Sequence, residues 1–456
     1  MPGVPSSRGC EACRKQKKKC DQLEPSCSRC TRLRVPCVGS GQQRYKFIDG
    51  IVGLACINSN AAHMQTAPSN HLTVMTSNFL AALGVTDPRF DLTIYGDFMK
   101  EIPRRLGSNG ALDATVYALT AAFATIPKNQ PSAEAINCYG RALKSIRLCL
   151  MDPIERKSPD TLCAMYLIMI LQGWVGTQSN QYPNHGEAIA QLMNEVGSQN
   201  WQGIFETQMT ITLCTIVIFE SFFNPNVKII PWMWEYTQTF GPYTTAQANS
   251  AIESLKPRNL ASIPVMLRDP ILNLPKLKTT YGQIWRDCGT VANILSALPN
   301  PLFPTNNPRT GLPMHIEQQE ARFQTGYGIL LAQAIQFNCI IQTLEPRDLC
   351  LSEQLLSLID DVIRLAKRAS RYRPLGASSM PLCLVAALAA ADHSDKELQL
   401  KALLADYQTD FPSTTWLQMV AWLRPRWKRD SYDPKLIQPT AGSLTTIKCI
   451  RSAFKP

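Results

Sequence analysis

The sequence has few acidic residues near its N-terminus. Residues 1–46 contain eleven Lys and Arg against three Asp and Glu, a net charge of +8 in a 456-residue chain whose total is +11. The remaining nine tenths of the chain are close to neutral. A basic block confined to one end predicts a polyanionic partner for that end rather than a generally basic protein.

Long hydrophobic runs are also lacking. The apolar stretches 161–171 and 209–219 have about 11 residues each, short of the ~20 that cross a bilayer. The first ten residues have no apolar segment of the kind that begins a secretory signal. We therefore expect a soluble protein without a membrane partner, in a reducing compartment where disulfides are rare.

Catalytic motifs are missing from residues 76–456. We find no phosphate-binding P-loop, dinucleotide-binding glycine pattern, HExxH helix or nucleophile elbow. The five His are dispersed at 63, 71, 185, 315 and 393, and no His lies within 10–37. The eight Trp are expected to pack in the core, although an effector pocket lined by them is an alternative. The sequence predicts a protein that is not an enzyme.

Cysteine is abundant and unevenly placed. Six of the sixteen Cys occupy residues 10–37 in the spacing C-x2-C-x6-C-x6-C-x2-C-x6-C. This block repeats itself with a shift of 17 residues, and each half predicts a Cys-x2-Cys turn that opens a short helix. The other ten Cys stand singly, mostly in apolar runs typical of buried free thiols.

The cysteine block has three interpretations. It could form a set of three disulfides, a single four-cysteine zinc site with two spare thiols, or a two-zinc cluster. Two tetrahedral zinc ions need eight sulfur contacts, which six thiolates supply only if two of them bridge. The repeat makes Cys10 and Cys27 the natural bridges. Few apolar residues lie in 10–37, so we expect metal binding to drive folding of this segment.

The block resembles the fungal Zn2Cys6 binuclear-cluster DNA-binding domain. The resemblance implies two Zn2+ per chain as cofactors. It assigns one ion to Cys10, Cys13, Cys20 and Cys27, and the other to Cys10, Cys27, Cys30 and Cys37. It also places Pro25 where the family has a turn proline that is often cis.

The same resemblance implies a partner, double-stranded DNA, and a nuclear location. Lys17, three residues before the third cysteine, takes the family position that reads a CGG-like triplet in the major groove. Gln16 stands where the family often has Lys or Arg, and glutamine favours adenine or a water-mediated contact.

The other cations of the block have less specific expected roles. Arg14 and Lys19 match positions that contact the DNA backbone, while Lys15 and Lys18 either contact phosphates or remain solvated. Arg29, Arg32 and Arg34 of the second half are expected to touch only the backbone. A block of this kind also serves as a nuclear-import signal without specific DNA contacts.

The remainder of the chain predicts an all-α domain. We divide the sequence into a zinc module at 1–38, a flexible linker at 39–75 and a large helical domain at 76–456. Pro- and Asn-rich segments predict loops at 226–245, 257–275 and 299–314. Segments 95–114 and 139–153 resemble the helical regulatory domain found downstream of fungal Zn2Cys6 modules.

The helices are predicted from apolar periodicity and end signals. They lie near 94–106, 110–127, 132–150, 158–174, 185–198, 203–224, 272–298, 315–346, 351–372, 381–392, 396–409 and 414–425. No run of three heptads follows the cysteine block, so a homodimer, if formed, would use another surface.

The sequence therefore predicts a nuclear, sequence-specific regulator of RNA polymerase II transcription that works with the transcription machinery. By resemblance, such proteins often control fungal secondary-metabolic gene clusters. The alternatives are a small-molecule-sensing helical protein or enzyme that uses the zinc module for targeting, and a scaffold whose zinc module binds protein.

Overall fold

The computed structural model describes residues 9–38, 70–128, 132–175, 185–197, 201, 203–223, 227, 229, 232–233, 235–236, 252–298, 314–392, 395–411 and 416–427. The chain divides into two compact units, Met1–Ala67 and Pro68–Pro456. The all-α class is confirmed, because the described residues contain helices and turns but no strand.

Residues 9–38, the described part of the first unit, contain two short helices, α1 (Glu11–Lys15) and α2 (Ser28–Leu33). Its buried centre consists of four cysteines rather than aliphatic side chains. Leu23 and Leu33 remain 55% and 46% exposed. A unit without an aliphatic core needs another source of stability, which agrees with the expected role of metal.

The second unit contains thirteen α-helices within its described residues. They are α3 (His71–Leu83), α4 (Gly110–Phe123), α5 (Ala133–Met151), α6 (Pro159–Val175), α7 (His185–Val196), α8 (Ile204–Phe223), α9 (Pro257–Arg268), α10 (Leu274–Ala297), α11 (Met314–Leu344), α12 (Leu349–Ala369), α13 (Met380–Ala390), α14 (Asp395–Gln408) and α15 (Trp416–Trp427). Helices adjacent in sequence pack against each other in pairs such as α4 with α5 and α10 with α11.

These helices bury two hydrophobic clusters. The first is formed mainly by α3–α8, and the second by the end of α8 and α9–α15. Helix α6 lies in the first cluster, and all of its residues 160–171 except Met169 are buried, as the all-apolar sequence of 162–171 predicts. The predicted cap is present, since the Ser158 Oγ accepts a hydrogen bond from the Asp160 N–H at 3.2 Å.

Helix α11 is long and apolar enough to cross a membrane by length and composition. About 61% of its most apolar window is buried inside the protein, where it packs against α10, α12 and α13. These contacts are those of a core helix in a helical domain.

A buried ion network links α11 to the end of α12. Glu320 is fully buried, and its carboxylate accepts hydrogen bonds from the Arg368 Nε at 2.7 Å, from Arg371, and from the Tyr372 hydroxyl at 3.0 Å. Gln324 donates to the same carboxylate at 2.9 Å. Two guanidinium groups therefore depend on one carboxylate for their charge compensation.

Two predicted elements are wrong. The helix expected at 94–106 is two 3-10 segments, Leu92–Tyr95 and Asp97–Arg104, because Gly96 between them has φ +137°. The loop expected at 257–275 contains α9, whose Pro257 occupies the first turn, where proline is tolerated.

The predicted loops at 226–245 and 299–314 fall mostly outside the described residues. The division into segments 1–38, 39–75 and 76–456 stays a prediction, and the described helices of the second unit begin at His71.

Candidate metal centre and nucleic-acid interface

The 17-residue repeat of the sequence is also a repeat of backbone structure. Cys10 and Cys27 each precede a short helix as its N-cap. The Arg14 N–H donates to the Cys10 carbonyl at 3.0 Å, and the equivalent Thr31 N–H donates to the Cys27 carbonyl at 3.0 Å. Two copies of one local structure therefore present their cysteines to each other.

The six thiols form two overlapping sets of four. One set is Cys10, Cys13, Cys20 and Cys27, and the other is Cys10, Cys27, Cys30 and Cys37, with all sulfurs of a set within 4.8 Å of one another. Cys10 and Cys27 belong to both sets. These are the sets and the bridging pair expected from the sequence and its family resemblance.

The sulfur spacing fits zinc. The Cys10 Sγ lies 3.8 Å from the Cys27 Sγ and 3.5 Å from the Cys30 Sγ, and Cys13 and Cys27 are 3.8 Å apart. Four sulfurs at about 2.3 Å from a tetrahedral zinc are about 3.8 Å from each other. A disulfide needs an S–S distance of about 2.05 Å, and all six are free thiols. The disulfide interpretation is therefore wrong.

The local electrostatics favour thiolates at the bridging positions. The Cys27 Sγ accepts a hydrogen bond from the Cys30 N–H at 3.4 Å, which lowers the pKa of Cys27. The Cys13 N–H lowers the pKa of Cys10 in the same way. Burial raises the pKa of Cys13 to about 12. A cation is therefore needed to hold all the thiols in the charged form.

Backbone N–H groups also orient the outer thiols. The Cys10 N–H donates to the Cys20 Sγ at 3.4 Å, and the Cys27 N–H donates to the Cys37 Sγ at 3.3 Å. These bonds are again related by the 17-residue repeat. They position a terminal sulfur of each set, as outer hydrogen bonds do at metal sites.

The loop between the two halves is ordered by contacts that the spacing did not reveal. The Asp21 carboxylate accepts from the Ser28 N–H at 3.1 and 3.2 Å. Hydrogen bonding by the Ser28 side chain and by this N–H lowers the pKa of Asp21. The Glu11 N–H donates to the Val38 carbonyl at 3.0 Å and joins the two ends of the module. The Glu24–Pro25 peptide bond is cis, as the resemblance implied.

All six predicted DNA-contacting residues, 14–19, are exposed at the end of α1. Lys17 has φ +51°, and its N–H donates to the Arg14 carbonyl at 3.0 Å. The Lys18 N–H donates to the Cys13 carbonyl at 2.9 Å. This pair of bonds is a Schellman-type helix end, which ties the position of Lys17 to a zinc-binding cysteine.

Two of the six residues have partners within the module. The Lys15 Nζ lies 3.2 Å from a Glu11 carboxylate oxygen one turn earlier in α1. The Gln16 amide oxygen accepts a hydrogen bond from the guanidinium of Arg29 in the second half. Sequence spacing gave no signal for this Arg29–Gln16 pair, because it joins residues that lie outside the repeat relationship.

Among the described residues, the two cysteine sets are the groups of three or more His, Cys, Asp or Glu placed to share an ion. Most of the described single thiols are buried, as predicted, whereas Cys350 is exposed. His63 and His393 lie outside the described residues.

Comparison with known proteins agrees with this geometry. Residues 8–46 match the fungal Zn(2)-Cys(6) binuclear cluster domain. The Zn(2)-C6 fungal-type transcription factor afumD of Aspergillus fumigatus is 25% identical over 218 residues, 45% of this chain and 56% of that protein. The chain thus spans little more than half the length of this curated relative. No solved structure matches the chain.

Proposed function

We propose that this chain, whose N-terminal module is a fungal Zn(2)-Cys(6) binuclear cluster domain, is a sequence-specific DNA-binding regulator of transcription. The observation that carries the proposal is the direct connection between the two thiol sets and the exposed basic segment 14–19. A metal-held scaffold and a cationic surface together are characteristic of nucleic-acid recognition.

The two zinc ions, when bound, are structural and set the path of the backbone. Cys13 and Cys20 bracket the basic segment, so its cations do not need hydrophobic anchors. The left-handed turn at Lys17 ends α1 and offers this side chain to the major groove. Guanine presents two acceptors there, O6 and N7, which lysine recognises. A CGG-like triplet is the expected target.

The other exposed side chains have supporting roles in this proposal. Arg14, Lys18 and Lys19 contact phosphates, and Lys15 does so after exchanging its contact with Glu11. Gln16 has its amide oxygen engaged by Arg29, so its amide N–H groups are the donors it offers to a base or a water. Arg29 thereby influences which DNA base Gln16 contacts.

The large helical domain is proposed to regulate this activity in the nucleus, on genes transcribed by RNA polymerase II and in contact with the transcription machinery. The similarity to a fungal transcription factor supports this role. Control of a secondary-metabolic gene cluster and formation of a homodimer are parts of the same proposal.

Selection of bound sites from random duplex DNA by the full-length protein tests the proposal. The expected result is enrichment of a CGG-like triplet, singly or as a pair at a preferred spacing. If no motif is enriched, and if the protein captures protein partners equally well at low and high salt, the scaffold alternative would be favoured instead.

Substitutions of Lys17 and Lys15 distinguish base-specific contacts from phosphate contacts. Lys17→Ala is expected to reduce discrimination between the selected triplet and a one-base variant by about 1–3 kcal/mol. Lys15→Ala is the matched control, with uniform weakening on both duplexes and a salt slope reduced by about one. Uniform weakening by Lys17→Ala as well would make Lys17 a phosphate contact and refute its assigned role.

A further inference from the structure

A cavity of about 410 Å³ lies inside the second unit, between its two hydrophobic clusters. Sites that bind small molecules have volumes of about 300–1,000 Å³ and are mostly apolar with a few polar groups. Helix α8 forms one wall and α11 forms another. None of the described Trp residues lines the cavity, so the tryptophan-lined pocket considered from the sequence is not this one.

One stripe of α8 faces the cavity. Thr212, Thr215, Ile216 and Phe219 line it at the spacing i, i+3, i+4, i+7, which is a single helical face. These four side chains are only partly buried, whereas the neighbouring Leu213 is fully buried in the protein core. One face of this apolar helix therefore borders the cavity.

Helix α11 repeats this arrangement. Arg322, Thr325, Gly326 and Ile329 line the cavity at the same spacing. The following residue, Leu330, lies about 100° further around the helix and is fully buried. Protein cores rarely leave spaces much larger than a water molecule. Two core helices that each direct one stripe into the same space are the walls expected of a ligand site.

Three hydroxyl groups of the lining are available as hydrogen-bond acceptors. The Thr212 hydroxyl donates its single proton to the Gln208 carbonyl at 2.9 Å, and the Thr215 hydroxyl donates to the Ile211 carbonyl at 2.9 Å. The Tyr166 hydroxyl likewise donates to a backbone carbonyl at 2.9 Å. Each oxygen retains lone pairs, so a bound molecule is expected to supply the donor.

Each charged group of the lining has an interaction within the protein. Asp91 accepts from the Thr93 N–H at 2.8 Å, and Lys256 is paired with Glu253. The same carboxylate also accepts from Arg258, and the hydrogen bonds from Lys256 and Arg258 lower the pKa of Glu253 to about 2. Arg322 also has an interaction partner. These pairings favour an uncharged ligand.

We propose that this cavity binds a small, uncharged, largely apolar molecule that carries at least one hydroxyl or N–H donor. Such a molecule would bridge α8 and α11 and thereby join the two hydrophobic clusters. This site goes beyond the proposed DNA-binding function, and its test contains no DNA, so either proposal can fail alone.

N-phenyl-1-naphthylamine, an apolar fluorescent amine with one N–H donor, is a suitable probe. Titration of the full-length protein is expected to give saturable, blue-shifted fluorescence with one probe per chain. Thr215→Phe fills the cavity from α8 and is expected to weaken binding at least tenfold. Thr215→Val keeps the volume but removes the acceptor, and roughly fivefold weaker binding is expected from the loss of one hydrogen bond.

Thr343→Phe is the matched control. Thr343 lies on α11, is partly buried, and donates to the carbonyl four residues earlier at 2.9 Å, as Thr215 does on α8, but it does not line the cavity. This variant is expected to bind the probe like the wild type.

A second variant keeps the test decisive if Thr215→Phe does not fold, as judged by circular dichroism. Ile329→Trp fills the same space from α11 and should also weaken binding at least tenfold. Wild-type protein that shows no saturable binding would overturn the proposal. Equal probe affinity in the wild type and a folded cavity-filling variant would do so too, because the probe would then occupy another surface.

Discussion

Shared thiolates in the metal centre lead to a prediction about zinc content. Each of Cys10 and Cys27 belongs to both four-thiol sets, whereas Cys20 belongs to one. Removing a bridging sulfur takes one contact from each ion, and removing a terminal sulfur takes one contact from a single ion. The two kinds of substitution are therefore expected to differ in the number of zinc ions lost.

The expected values follow from this count. Full-length wild-type protein should hold two zinc ions per chain, Cys20→Ser about one, and Cys10→Ser none. The structural ions supply the free energy that folds the module, about 10–16 kcal/mol for a single zinc in small domains. Loss of both ions should therefore also abolish binding to the selected DNA site.

Elemental analysis of the purified proteins, with protein concentration from amino-acid analysis, measures the ratio. Cys350→Ser is the matched control, because Cys350 is an exposed thiol remote in sequence from the cluster, and it should retain two ions. Equal zinc content in Cys10→Ser and Cys20→Ser would refute the bridging geometry. One zinc ion per wild-type chain would exclude the two-zinc cluster and support the single four-cysteine zinc site.

Two further predictions concern the helical domain and are checked by urea unfolding of the full-length protein. Glu320→Ala removes the carboxylate that compensates the partly buried guanidinium groups of Arg368 and Arg371, and should lower the free energy of unfolding by about 3–5 kcal/mol. Substitution of Glu345, whose pair with Lys278 is more exposed, is the control, with an expected loss of at most about 1 kcal/mol. Equal losses would contradict this assignment. Hydrogen bonds from a neighbouring lysine and arginine lower the pKa of Glu253 from 4.5 to about 2, so its stabilisation is present above pH 4.5 and is lost as the pH falls toward 2. Glu253→Gln should accordingly show a smaller decrease in unfolding midpoint between pH 5 and 3 than the wild type, and an identical decrease would show that the carboxylate contributes nothing.

The periodic helices could be read from the sequence with small errors at their ends. Helix α5 was expected at 132–150 and spans Ala133–Met151, and α10 was expected at 272–298 and spans Leu274–Ala297. Local signals determine such elements, because caps and apolar spacing act within a few residues. Helix α9 is not predicted from the sequence, because proline is typical of loops. Its buried Leu260 and Ile263 nevertheless pack this helix against the core.

The candidate metal centre could also be predicted from the sequence, because a repeated spacing constrains which thiols can lie close together. The hydrogen bond between Arg29 and Gln16 could not be predicted, since it depends on how the two halves of the module are oriented relative to each other. The cavity between α8 and α11 could not be predicted either. A stripe that faces a ligand space and a stripe that faces another helix have the same apolar periodicity.

The sequence by itself thus determined the grouping of the six cysteines, the position of the basic segment and the helical class, because each depends on spacing along the chain. Only the tertiary structure decided that Glu320 compensates two partly buried arginines, that Arg29 binds the amide oxygen of Gln16, and that two core helices leave a space between them. The physical reason is that these features arise from contacts between segments distant in sequence, whose relative placement no local pattern encodes.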